Sequence, residues 1–421
     1  MARRQRGVPR QRSCGARRAI ASFAVAATAI VAPGLTGAAQ AALSNSHTHM
    51  VTSLQTGHPT VLGLLGVSGK YYATEKANGI AAVTVDISWA NAEPVAGRYS
   101  TPYLTTIRQR LAAARAAGLA VVVDPGLQYT PAWVFALPGG TRFIDQYGQV
   151  FTGPAASGDD VANAVTDLNV RAAEATYLRW LAKALHGSPV LAVRVGGGPL
   201  GELRYPDTTY QGRSNCFWAY DESTQAASTV RGWVPGTGTP RQAALFLAAY
   251  NNNLVRYGDW LDSQVGADFG VPELVMLPGW GERPGAAALE TASRLTLDRP
   301  EFNEGSDWSA LLASLPRASE SVAYSTYLDA PSFSSTAEGV DPMDFIASLA
   351  KHTVLRLGGE SSSGGNEADL DLMVKRALRL HLVIVDWFDE AAVVGSSASH
   401  ADSAPSFSDL RAAAAELTHG P

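Results

Sequence analysis

Cysteine is almost missing from this sequence: its 421 residues include only Cys14 and Cys216. Cys14 lies in an N-terminal segment that reads as removable, which leaves Cys216 without a partner and excludes an internal disulfide. Histidine is also scarce, with eight scattered residues and no His-Glu-x-x-His pair. "HTHM" at 47–50 stands close to the expected start of the mature chain and reads as structural or exposed, so no metal or other cofactor is expected. Charge of either sign is thin: 33 Lys and Arg face 38 Asp and Glu, a net charge of −5 that offers nucleic acid no basic surface. The glycines of "GGGPLG" at 196–201 lack the Lys and Ser/Thr of a phosphate loop and the spacing of a dinucleotide site. No Gly-x-Ser-x-Gly elbow accompanies a strand.

Long apolar runs are confined to the N-terminus. Residues 1–41 combine the basic "ARRQRGVPRQRSCGARR", the apolar "AIASFAVAATAIVAPGL" and the small-residue cleavage pattern "AQA", which together read as a secretion signal. Arg17 and Arg18 precede the apolar run, so the general (Sec) and twin-arginine export routes both stay open. Cys14 ahead of that run argues against a lipid anchor. No other stretch approaches the roughly 18 to 20 apolar residues that span a bilayer. A secreted protein without a membrane anchor is therefore expected, with residues 42–421 forming one domain of unspecified oligomeric state.

Eight short apolar runs bounded by Gly, Pro or Asp follow, at 60–67, 81–89, 119–126, 190–197, 273–280, 321–329, 353–360 and 382–390. They are rich in the β-branched residues that suit strands buried on both faces. Helical patterns intervene at 100–118, 169–187, 240–266, 341–352 and 366–381. The first of these has a capping Ser100 or Thr101, Pro102 in the first turn, a Leu104–Ile107–Leu111–Ala114 stripe and Gly118 at its end. This alternation predicts an α/β fold, a (β/α)8 TIM barrel, ahead of an open doubly wound sheet. The longest connections follow strand 3, at 137–168, and strand 4, at 206–240, where Trp218, Tyr220 and Trp233 are candidates to wall a cleft.

Barrel enzymes keep their chemistry at the C-terminal ends of the strands. Asp86, Asp124, Glu202, Glu282, Asp329, Glu360, Asp389 and Glu390 all fall at or just past such ends. Any one of them could be a solvated loop residue or a partner for Arg194 or Arg356. As a constellation, with Trp89, Trp133, Trp280 and Trp387 near the same ends, they suit glycoside hydrolysis. One acid protonates the leaving oxygen, a second attacks or activates water, and flat rings stack on sugar faces.

"GPLGELRYP" at 198–206 resembles the strand 4 signature of the β-amylases, glycoside hydrolase family 14. "AAVTVDISWANAEPVAGRY" is similar to that family's strand 2, with Asp86, Trp89 and Glu93 in place, and "RLGGESSSGGN" to its strand 7 element. Features such as "TPAWV" are shared with family 42 β-galactosidases. The resemblance implies a carbohydrate substrate, with Glu202 as general acid braced by Arg204 and Tyr205. Glu360 becomes its partner, and the strand 6 stretch "TYLD" offers Asp329 as the alternative. Asn366 is placed to bond a sugar hydroxyl. Met276 and Gly281 stand where β-amylases have Lys and His, which leaves the sugar open. The other reading is a carbohydrate-binding barrel without catalysis.

Overall fold

The computed structural model describes residues 53–153, 159–330, 340–362, 365–399 and 404–419. The expected signal at 1–41 and its boundary with the barrel lie outside the described residues. Eight strands close into one all-parallel barrel in chain order: β1 Val61–Leu64, β2 Ala82–Asp86, β3 Ala120–Asp124, β4 Val190–Val195, β5 Glu273–Leu277, β6 Ser321–Ser325, β7 Arg356–Glu360 and β8 Ile384–Trp387. Ladder pairing of β1 with β8 completes the ring. Helices occupy the connections, including Thr101–Ala116, Leu168–Leu185, Pro240–Phe269, Pro342–Ala350 and Glu367–Leu380. This is the expected (β/α)8 architecture.

Local chemistry explains the helix ends. Ser100 accepts the Tyr103 amide, and Asp167 accepts the amides of Asn169 and Val170. Thr239 and Gln242 form a reciprocal capping box at the start of Pro240–Phe269, and Gly270 ends that helix at φ +64. Among the described residues no helix is long and apolar enough to cross a membrane.

The period-2 alternation of the strands separates two apolar layers. Outward-facing strand residues such as Val83, Val85, Val121, Val193 and Val385 pack under the helices. An inner plug contains Ala82, Val122, Ala192, Leu274, Met276, Val322, Tyr324 and Ile384. Continuing the same inward parity toward the C-terminal ends reaches Asp86, Asp124, Arg194, Glu360 and Asp386. The plug thus turns polar where the barrel opens.

The long connections after β3 and β4 pack on each other. Tyr220 donates its amide to Ile144 and Phe217 donates to the Gln146 side chain. Phe151, Tyr210 and Trp218 meet edge to face or tilted. Trp218 and Trp233 are buried in this assembly rather than lining a cleft, because two loops of this length can exclude water only by sharing an aromatic core.

Candidate active site

At the barrel mouth, Arg194 of β4 points across the interior toward β7. Its Nη2 lies 3.1 Å from Glu360 Oε1 and 3.0 Å from Oε2, and its Nε lies 3.9 Å from Asp124 Oδ2. Desolvation works against the guanidinium charge, but Glu360 and then Asp124 outweigh it and hold Arg194 protonated. Asp124 Oδ1 accepts the Gly126 amide and Oδ2 accepts Gln128 Nε2. Asp86, paired in register with Asp124, closes β2 and is exposed, whereas Asp124, Arg194 and Glu360 are buried. Asp86 is open to the mouth yet ringed by protein elsewhere. That desolvation, then the Asp124 charge, raises its carboxyl to about 6.

On the other side of Glu360, the Tyr324 hydroxyl lies 3.3 Å from Glu360 Oε2 and 2.5 Å from Asp386 Oδ2. Asp386 is fully buried beside Gly63 of β1, its register partner, where any side chain would overlap Asp386 Oδ1. The absent Cβ makes room for a carboxyl group inside the barrel.

Glu202 belongs to a second group. It follows the short turn Pro199–Gly201 beyond β4 and accepts Arg204 Nε at 2.8 Å. Arg204 Nη1 reaches Asp207 Oδ1 at 2.6 Å and lies 3.5 Å from Glu304 Oε1. Burial raises the Glu304 carboxyl to about 7 against the pull of Arg204. The glycines before Glu202 serve the loop's own main chain. A Cβ at Gly196 would overlap the Gly201 carbonyl, one at Gly198 would overlap the Arg204 and Glu202 carbonyls, and Gly197 sits on the Tyr257 hydroxyl at φ +79. The space beside these glycines is filled by the backbone that presents Glu202.

The remaining expected site residues divide. Trp133 and Trp280 are half-buried, with Trp133 Nε1 donating to the Glu93 carbonyl and the Arg283 guanidinium 5.9 Å from the Trp280 ring. Trp89 and Trp387 are fully buried core residues: the Trp89 ring stacks on Tyr177, and its Nε1 donates to Glu93 Oε2. Glu93 also accepts the Gly97 amide, so its carboxylate ties down the loop after β2. Tyr205 stacks on Tyr250 and donates to its carbonyl instead of bracing Glu202. Asn366 caps the helix Glu367–Leu380, accepting the amides of Ala368 and Asp369, which occupies its side-chain oxygen. Asp329 accepts both the amide and the hydroxyl of Ser362, clamping the segment that follows Glu360.

Sequence reasoning did not single out Tyr324 and Asp386. The signals were present: an acid within the apolar "LVIVDW" and an arginine within "VLAVRV" both mark interior charges that need each other. Glu282, another strand-end acid, turns outward to a cleft of about 490 Å³ bordered by the helix Pro240–Phe269, where it accepts Asn251 Nδ2. Among the described residues no cluster of His, Cys, Asp and Glu has the arrangement to hold a metal ion.

The chain folds as a closed (β/α)8 barrel, and solved structures share that fold. The catalytic domain of a β-amylase from Paenibacillus polymyxa matches with a TM-score of 0.59 at 17% identity, over 80% of this chain and 93% of that one. A β-galactosidase from the psychrophilic Marinomonas ef1 matches with a TM-score of 0.56 at 14% identity, over 85% of this chain and 59% of that one. One from Bacillus circulans sp. alkalophilus gives 0.56 at 12% identity, with coverages of 85% and 56%. The chain thus spans less than two-thirds of those β-galactosidases. No family model matches the sequence, and no curated sequence matches it. Similarity to the β-amylase and β-galactosidase barrels therefore lies in the fold.

Proposed function

We propose that this protein is a secreted glycoside hydrolase acting on an oligo- or polysaccharide, with Glu202 as proton donor and Glu360 as its carboxylate partner. The observation that supports it most is the setting of Glu360. A carboxylate at the end of β7, inside the mouth, is flanked by Arg194 and Tyr324. Those donors favour the ionised form that a nucleophile or base requires. Glu202, beyond β4, is the second carboxylate that acid catalysis needs. Asp86, open to the mouth, is placed to meet a sugar hydroxyl, and Trp133 and Trp280 are the rings left with exposed surface for stacking.

Asp329 carries less weight as the partner because both its oxygens are engaged by Ser362. Its part in this reading is to hold the chain after Glu360. With Glu360 as nucleophile the enzyme retains configuration, which requires the two carboxyl groups to stand about 5 to 5.5 Å apart during the reaction. Arg204 gives a second reading some support. By neutralising Glu202 in a buried pair, it suits a sugar-binding barrel without turnover.

A panel of aryl glycosides and polysaccharides, followed by proton NMR of the first sugar released, tests the proposal. Retained configuration, with activity lost in Glu360→Gln and kept in Asp329→Asn, is the expected result. Inverted product with the opposite mutant pattern assigns the base to Asp329. Saturable sugar binding with no release by the wild type favours the second reading.

A further inference from the structure

We infer that Asp386 is a positioning residue for Glu360: as a neutral carboxylic acid it donates a hydrogen bond to Tyr324, which turns the tyrosine proton onto the Glu360 carboxylate. The inference rests on Glu360 being the reactive carboxylate of the proposed function. It starts from a shortage of protons. The Tyr324 hydroxyl owns one and stands between two carboxyl groups, 2.5 Å from Asp386 Oδ2 and 3.3 Å from Glu360 Oε2.

The two carboxyl groups are not equivalent. Glu360 has the Arg194 guanidinium against it. Asp386 is wholly buried, and its Oδ1, lodged against Gly63, has no hydrogen-bond partner among the described residues. An ionised carboxylate with one dry, unpaired oxygen is expensive, whereas a carboxylic acid tolerates it. Facing Asp386 are Tyr324 from β6, Glu360 from β7, Arg194 from β4 and only backbone from Gly63 on β1. Burial raises Asp386 to about 7, with Tyr324 opposing, Glu360 adding to the rise and Arg194 opposing.

The proton count then closes. With Asp386 protonated on Oδ2, its O–H donates to the tyrosine oxygen, and the tyrosine O–H is released to Glu360 Oε2. When Asp386 ionises, the tyrosine proton turns to the nearer Asp386, and Glu360 keeps Arg194 but loses a donor. No bond to substrate is made or broken by either group.

The test uses the full chain and a 2,4-dinitrophenyl glycoside of the sugar found in the panel, because that leaving group needs no protonation and removes any titration of Glu202 from kcat/KM. Wild type is expected to lose about tenfold as pH rises through 7, the worth of one hydrogen bond to a charged group. Asp386→Asn, whose amide donates at every pH, should stay within about threefold of wild type at pH 6 and lack that decline. Tyr324→Phe should be low at both ends.

A second readout needs no turnover. In protein labelled with 13C at the aspartate carboxyls, one resonance should titrate near pH 7, disappear in Asp386→Asn and move to higher pH in Tyr324→Phe. If no glycoside is turned over, the proposed function fails while this titration still decides the state of Asp386. An aspartate resonance assigned to Asp386 that titrates near 4 would overturn the inference. So would an Asp386→Asn protein with a native urea midpoint that is as inactive at pH 6 as Tyr324→Phe. Should Asp386→Asn fail to fold, the wild-type and Tyr324→Phe titrations carry the decision.

Discussion

Arg194 on β4 sets a single nitrogen, Nη2, against both carboxylate oxygens of Glu360 on β7, at 3.1 and 3.0 Å. The two strands are not neighbours in the sheet, so this contact crosses the interior of the barrel. Replacing Arg194 with Met leaves Glu360 buried beside Asp124 without the cation between them. The expected cost is about 3 to 5 kcal/mol of stability, the penalty of stranding one partner of a buried ion pair. Urea unfolding should show it as a lower midpoint at unchanged slope. Activity should also fall, because Glu360 then protonates more readily.

Glu202→Gln separates leaving-group protonation from the rest of the mechanism. On an unactivated glycoside the loss should be about a hundredfold to ten-thousandfold, the usual worth of general acid catalysis. On a dinitrophenyl glycoside the formation step should be much less affected. Equal losses on both substrates would mean that Glu202 serves the Arg204 network rather than the leaving oxygen.

The tryptophans divide by exposure. Trp133→Ala and Trp280→Ala are expected to raise KM with modest effects on melting temperature. Trp89→Ala and Trp387→Ala remove fully buried rings and should cost about 3 to 5 kcal/mol in stability. Paired Michaelis curves and melting scans on the four variants check this. A KM effect at Trp387 without destabilisation would contradict the burial.

Trp387 also shows where sequence reading stops. The strands were legible because runs buried on both faces are continuously apolar and end at Gly, Pro or Asp, and the strand-end acids could be found by counting to those ends. Which face a residue takes depends on register, and one step reverses it. In "VDWFDE" the ladder pairs Asp386 with Gly63 and Glu360, sending Asp386 inward, and its neighbour Trp387 lies in the layer under the helices. Read from the sequence alone, Trp387 was one of four candidate stacking rings, with Trp89, Trp133 and Trp280. The pairing of Asp386 with Gly63 joins residues more than three hundred positions apart, and no local pattern reports it. Asn366 shows a nearer ambiguity: a polar residue after a glycine pair suits a helix cap as well as a sugar contact, and the following "EADL" takes its side-chain oxygen.

Gly198→Ala should be disproportionately harmful for one methyl group. The added Cβ would press on the Arg204 and Glu202 carbonyls, which are backbone and cannot swing away. The turn presenting Glu202 must shift, so kcat should drop while the overall fold survives with a loss of about 1 to 3 kcal/mol. Gly187→Ala provides the contrast. Unlike Gly198, at φ −89, it has a positive φ of +81, and nothing lies near its absent side chain, so its cost should be backbone strain without loss of activity.

A buried acid remote from the proposed chemistry gives the pH prediction. Glu75 is fully buried, and desolvation first, then its hydrogen bond and charge interaction with Glu390, raise its carboxyl from 4.5 to about 9. Between those values the folded protein holds a proton that the unfolded chain has released. Stability from this group therefore falls as pH rises from about 4.5 to 9, by at most about 1.4 kcal/mol per unit. Glu75→Gln removes the titration and keeps a donor for Glu390. Its melting temperature relative to wild type should accordingly climb with pH across that window and level off above about 9. Melting scans of both proteins from pH 5 to 9.5 decide the point, and a difference that stays flat or shrinks with pH would show that Glu75 is ionised in the native barrel.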